Sequence, residues 1–306
     1  MKLLRMGAAV LAGAVLLLGA GACSNPETPG TDVSAKNVGP EVKVAKDSKI
    51  AAMVPESFAK KGRFTASINP DVAPIKFTDS NGKLAGLVPD LLNDAATVMG
   101  LKLDLQRGAF DSMVPGLESK RFDVIASVGD FKERQKQIDF IDYLQTGTAI
   151  LTSADFKQDK ITPADLCGLN VAYARGTAQQ GLIEEASKAC AKAGKKKVTA
   201  TGYGDSGSAL LSVKSSQADA FWGDSPAMLY NAKTSPKLYK VVYEATIGPY
   251  GIGINKDNAE FRDALRAALL KLVDTGAYDQ LLEKWGQENY GMPKMPLNTG
   301  PSMSED

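Results

Sequence analysis

Histidine is missing from all 306 residues. That absence excludes Ser-His and Cys-His nucleophilic catalysis, histidine general bases and His-ligated metal sites. Cysteine is scarce, with 3 in the chain. No charge of one sign dominates: 36 Lys and Arg against 35 Asp and Glu give a net charge of +1, with no basic block dense enough to suggest nucleic acid. Beyond the N-terminal stretch no apolar run is long enough to span a bilayer. What remains is ordinary: 44% hydrophobic and 23% charged residues, enough for a normal core and for two domains or one large one.

The N-terminus reads as an export signal. Lys2 and Arg5 precede an apolar, small-residue stretch from Met6 to Ala22 that ends in "AGAC". With Cys23 directly after the small residues, it resembles a bacterial lipoprotein signal: residues 1–22 would be removed and Cys23 lipidated. Such signals usually carry Leu three residues before the cysteine, where this chain has Ala20. Removal takes away Lys2 and Arg5 and leaves a balance of −1. Residues 23–47, "CSNPETPGTDVSAKNVGPEVKVAKD", mix Pro, Gly, Ser and Thr without periodicity and are expected to be a tether. Export implies an oxidising compartment. Cys167 and Cys190 then form an even pair, expected as a disulfide closing a loop of about two dozen residues. A metal site there lacks any other soft ligand.

From about Val54 strands and helices alternate. "FTASI" (64–68) and "FDVIASV" (122–128) have strand character, and "LKLDLQ" (101–106) alternates as a half-buried strand does. In "GLVPDLLNDAATVMG" Pro89 sits in the first turn. Leu91, Leu92, Ala95, Ala96 and Met99 share a face, and Gly100 stops the helix. "FDSMVPGLESKR" reads as a short helix capped by Asp111 or Ser112. A second series runs from about Ile150: strands at 169–174, "KVTATGY", 218–224 and 240–245, with a helix over 177–193 and two closing helices ended by Gly276 and Gly286. Two α/β series of about 100 residues suggest two lobes rather than one sheet.

Three features sit at strand ends. Gly176 and Thr177 in "ARGTAQQG" follow a strand and open a helix whose first free N–H groups suit an anion, although a plain capped helix has the same look. Asp224 ends the strand "ADAFWGD", where it can pair with an ammonium or cap the next helix. Phe221 and Trp222 point to opposite faces there, with core packing expected for at least one. Arg134 follows the strand 124–128 and Gly129 in a charged run, and is either a solvated charge or an anion clamp. Lys132, Glu133 and Lys136 read as solvated. A cation, N–H groups and a carboxylate split between two lobes describe a cleft for an amino acid.

The run "PIKFTDSNGKLAGLVPDLL … FDSMVPGLESKRFDVIAS … ERQKQIDF", with "LCGLNVAYARGTAQQ", "ADAFWGD" and "GPYGIGINKDNAEFRDALRAALLKLVDTGAYDQLLEKWG", resembles the extracytoplasmic solute-binding proteins of family 3 over roughly residues 54–290. The resemblance implies a periplasmic-binding-protein type II fold, two α/β lobes joined by a two-strand hinge near Asp142–Thr152 and Tyr243–Asn255. The implied organisation is lobe 1 over 48–147, lobe 2 over 148–245, a return to lobe 1 with closing helices over 246–290, and a loose Pro-rich tail over 291–306. The ligand carboxylate falls to Arg134, with Gly176 and Thr177, and the ammonium to Asp224. Gly129 and Ser127 lie on the approach, Phe110 in the pocket wall, and Asn69 at a position that is often Asp. Val72 stands where an aromatic often stacks on ligand, and Val88 where an acid is usual. Asp130 stands where Thr or Ser is common and is expected to meet a cationic ligand group. The implied function is a lipid-anchored, extracytoplasmic, monomeric receptor. It would hold an amino acid or a relative and deliver it to an ABC-importer permease, without cofactor, metal or nucleic acid. The rival readings are a dehydratase-like enzyme, with Asp130 or Asp224 as its carboxylate, and a ligand sensor.

Overall fold

The computed structural model describes residues 42–303; the signal region, Cys23 and most of the tether lie outside them. In chain order the elements are α1 (Ser48–Ala51), α2 (Glu56–Lys61), β1 (Arg63–Ile68), β2 (Asp71–Val72), β3 (Lys76–Thr78), β4 (Leu84–Ala85), α3 (Leu87–Met99), β5 (Lys102–Arg107), α4 (Phe110–Glu118), β6 (Val124–Gly129), α5 (Lys132–Gln135), β7 (Ile138–Ser153), β8 (Asn170–Ala174), α6 (Ala178–Lys192), β9 (Thr199–Tyr203), α7 (Ser206–Lys214), β10 (Ala220–Asp224), α8 (Ser225–Thr234), β11 (Tyr239–Asn255), α9 (Ala259–Asp274) and α10 (Ala277–Trp285).

Two long strands organise the rest. β7 and β11, of 16 and 17 residues, pair antiparallel from Tyr239↔Ser153 to Asn255↔Ile138. The first half of β7 and the last half of β11 belong to one lobe, where β11 pairs with β6, β6 with β1, and β1 with β5. Their other halves belong to the second lobe, where β7 pairs with β10, β10 with β8, and β8 with β9. The register slips between Thr246 and Gly248, midway along both strands. The expectation of two separate sheets is therefore corrected. There is one eight-stranded sheet, β5-β1-β6-β11-β7-β10-β8-β9, because the crossing strands stay hydrogen-bonded through the hinge. The β1/β5, β1/β6, β8/β10 and β8/β9 pairs are parallel, as strands linked through crossover helices are.

Local chemistry accounts for several of these elements. α3 buries Leu91, Leu92, Ala95, Ala96 and Met99 on one face and stops at Gly100, whose φ of 71° suits a residue without Cβ. Phe221 and Trp222 are 1% and 2% exposed and pack into different clusters on the two faces of the sheet, so both are core residues. α4 begins earlier than its expected cap: Ala109 is the N-cap and neither Asp111 nor Ser112 takes that place.

Both ends of the described chain are more structured than their composition suggests. Val42 and Val44 pack against the core, the Val42 N–H donates to Gln280 Oε1 at 2.6 Å, and Asp47 caps α1. The stretch expected to be tether up to residue 47 is thus anchored from Val42. The tail expected to be loose is ordered through Met303: Met295 is fully buried, Leu297 bridges to Ile141 and Gly291 to Leu144. Edge positions on β7 hold it, through pairing that composition does not encode. The expected disulfide is present, joining Cys167 to Cys190 with Cα atoms 5.5 Å apart.

Candidate functional site

A cleft with about 630 Å³ of empty space, part of it open to solvent, lies between the lobes at the hinge. Its walls include Arg134, Phe110, Ser127 and Gly129 from the first lobe and Thr177, Gln179 and Asp224 from the second. Asn69, Asp71 and Lys76 complete the first-lobe side, and Tyr250 rises from β11.

Arg134 is not a solvated charge. Its guanidinium lies 5.4 Å from the Phe110 ring and 5.3 Å from Phe131, within cation–π range of both. Nη1 donates to Gly129 O at 2.7 Å, and Nη2 donates across the cleft to Gly176 O at 3.2 Å. Both acceptors are neutral. Burial pulls the pKa of Arg134 down, against the pull of Asp224 and Asp130. Among the described residues three of its five N–H donors have no acceptor, and its charge is left for an anion. Lys132 and Lys136 do not line the cleft.

Across the cleft, α6 presents its N-terminus. Gly176 has φ of +80° and a Cβ there would press on Asp111 and Phe110, so glycine permits both the turn and the approach of the lobes. Thr177 does not cap α6 through its side chain. Its hydroxyl donates back to Ala174 O at 2.7 Å, and Thr177, Ala178 and Gln179 line the cleft. Free N–H groups and the helix dipole suit an anion there.

Asp224 also escapes the capping role. It stands before α8 without a side-chain cap bond. Its Oδ1 accepts from Gln179 Nε2 at 2.9 Å and its Oδ2 from Tyr250 Oη at 2.5 Å. Gln179 and Tyr250 are 2% and 3% exposed, so the carboxylate is held rigidly at the wall. Burial, then the charge of Asp224, pushes the Tyr250 hydroxyl well above its ordinary pKa, which keeps it a donor.

One expectation is overturned. Asp130 does not face the cleft: it is fully buried. Its Oδ1 accepts from Gln135 Nε2 at 2.8 Å and its Oδ2 from Gly300 N at 2.7 Å. Gln135 and the tail each donate to one of its oxygens, away from the cleft. Ser127, with φ of 63°, turns its carbonyl toward Lys76 and its hydroxyl toward Tyr143, which donates to it at 2.8 Å.

Two of the four charged wall residues escape sequence reasoning. Lys76 is 1% exposed; its Nζ donates to Asn69 Oδ1 and to Ser127 O, the latter at 2.6 Å, and lies 5.8 Å from the Phe110 ring. Burial pushes its pKa down to about 8, with Asp71 and Asp224 opposing and Arg134 assisting. Asp71 accepts from Asn69 Nδ2 and, across the cleft, from Ser206 N at 3.0 Å. Burial raises its pKa while Lys76 lowers it. Both residues sit in "NPDVAPIKF", whose charges carry no periodicity or spacing that marks a site.

Residues 64–288 match the family described as bacterial extracellular solute-binding proteins, family 3. The arginine-binding protein ArgT of Corynebacterium glutamicum is 32% identical over 256 residues, 83% of this chain and 84% of that one. The L-cystine-binding protein TcyA of Bacillus subtilis is 29% identical over 80% of this chain and 87% of its own. The solved structure of an ancestral arginine-binding protein bound to arginine superposes with a TM-score of 0.66 at 30% identity, covering 73% of this chain and 98% of that one.

Proposed function

We propose that this chain, which belongs to the bacterial extracellular solute-binding proteins of family 3, captures a free amino acid in its cleft and hands it to the permease of an ABC importer. The cleft wall offers complements to both charges of a zwitterion, and that is the observation behind the reading. Arg134, held by two aromatic rings, and the uncapped start of α6 face the α-carboxylate. Asp224, oriented by Gln179 and Tyr250, faces the α-ammonium.

Closure follows from the carboxylate end. Its partners come from both lobes, Arg134 from the first and the start of α6 from the second, so binding favours the form in which both touch it. The hinge is the middle of β7 and β11, where the register slips. The N-terminal residues support a lipid anchor at Cys23, with the binding part outside the cytoplasm and a tether between them. The chain acts as a receptor and carries out no reaction: the wall carboxylate Asp224 is committed to ligand charge rather than proton transfer.

Mass spectrometry of small molecules released from the purified protein tests the reading. An α-amino acid in near-stoichiometric amount is the expected result, and its addition to stripped protein should raise the melting temperature by mass action. A released solute without an α-amino group, and no thermal response to any amino acid, would refute it.

A further inference from the structure

We infer that Lys76 sets the sign of the ligand side chain: the cleft turns away cationic amino acids and selects an uncharged one whose side chain offers a hydrogen-bond acceptor, a carboxamide being the class that fits. This deepens the amino-acid reading above and rests on it.

A buried lysine is uncommon and needs an account. Lys76 is 1% exposed on the cleft wall. An ammonium has three N–H donors. Two go to neutral acceptors, Asn69 Oδ1 and Ser127 O. The third has no hydrogen-bond partner among the described residues, and no carboxylate there hydrogen-bonds to Lys76. A residue whose only task was to hold Asn69 and Ser127 together would not need a charge.

The charges of the wall then decide what fits. Arg134 and Lys76 are balanced by Asp71 and Asp224. Asp224 is reserved for the α-ammonium, and Asp71 already accepts from Asn69 Nδ2 and Ser206 N. A zwitterion with a neutral side chain keeps the balance at zero. Arginine or lysine would leave the cleft with one uncompensated cation beside Lys76, and glutamate with one uncompensated anion beside Asp71. Uncompensated charge in a closed cleft is strongly unfavourable. A carboxamide meets both neighbours without adding charge: its oxygen accepts the spare Lys76 N–H, and its N–H₂ can donate to the remaining lone pairs of Asp71. The arginine named for ArgT and for the ancestral structure therefore does not carry over to this chain.

Calorimetry of stripped protein with L-glutamine, L-glutamate, L-arginine and L-lysine tests this. Glutamine should bind at least about tenfold more tightly than each of the others, equivalent to about 1.4 kcal/mol. In Lys76→Gln the arginine-to-glutamine affinity ratio should rise at least about tenfold. Asn69→Asp, which adds a carboxylate beside Lys76, should shift the ratio the same way and serves if Lys76→Gln does not fold. The inference is overturned if the wild type prefers arginine, lysine or glutamate, or if neither variant moves the ratio. If none of the twenty amino acids binds the wild type, the amino-acid reading falls and takes the inference with it. If they bind in the wrong order, only the inference falls.

Discussion

Asp142 shows how a single residue reports on its surroundings. It is fully buried in β7, and its Oδ2 accepts from Thr299 N at 2.9 Å and Thr299 Oγ1 at 2.6 Å. Burial pushes its pKa up to about 7, with Thr299 opposing and the neighbouring Asp130 adding to the rise. A carboxyl with a raised folded-state pKa holds its proton more tightly when folded. Its contribution to stability is full below about pH 4 and is lost as pH rises through about 7. The melting temperature of the wild type should therefore fall relative to that of Asp142→Asn between pH 5 and pH 8. Parallel curves would show that the carboxyl titrates normally. At the same scale, Asp224→Asn should fold and lose about 2–5 kcal/mol of amino-acid affinity, because the ammonium is left without its counter-charge. Unchanged affinity in calorimetry would return Asp224 to a purely structural role.

Among the elements, the C-terminal segment and the disulfide each tie a lobe together. Residues 298–300 lie against the hinge strand β7 and the residue after β6: Asn298 Oδ1 accepts from Phe140 N at 2.8 Å, and Gly300 N donates to Asp130 at 2.7 Å. A Cβ on Gly300 would run into the Asp130 carbonyl, so Gly300→Ala should destabilise by about 1–3 kcal/mol, as overpacking does. Urea unfolding measures it, and an unchanged midpoint would mean that the segment is only loosely held. In the second lobe, Cys167 and Cys190 close a loop with a sequence separation of 23. The double Cys→Ser variant should lose about 3 kcal/mol in the same assay. A loss far below that would place the compact structure of α6 and β8 in the unfolded reference state as well.

Across the whole molecule, the parts legible in the sequence are those fixed by short-range rules. α3 was visible from Pro89, its apolar face and Gly100, and Arg134 and Asp224 from their places at strand ends. The parts that were hidden depend on partners far away in the chain. Lys76 meets Ser127, 51 residues on, and nothing in "PIKF" says that its lysine is buried. Asp130 shares the strand-end position of the cleft residues, but its side chain turns to Gly300, 170 residues away. The tail has the Pro-rich composition of a linker, and only its fit against β7 gives it order. Other long-range pairs cross the cleft, Asp71 to Ser206 and Arg134 to Gly176, and tie wall residues of one lobe to the other. The central claim is that Arg134 clamps an amino-acid carboxylate between the lobes. Calorimetry of the released amino acid against stripped wild type, Arg134→Ala and the exposed control Lys136→Ala tests it most directly. The account predicts a loss of at least about 2 kcal/mol in Arg134→Ala and under about 0.5 kcal/mol in Lys136→Ala; equal affinities for the two variants would contradict it.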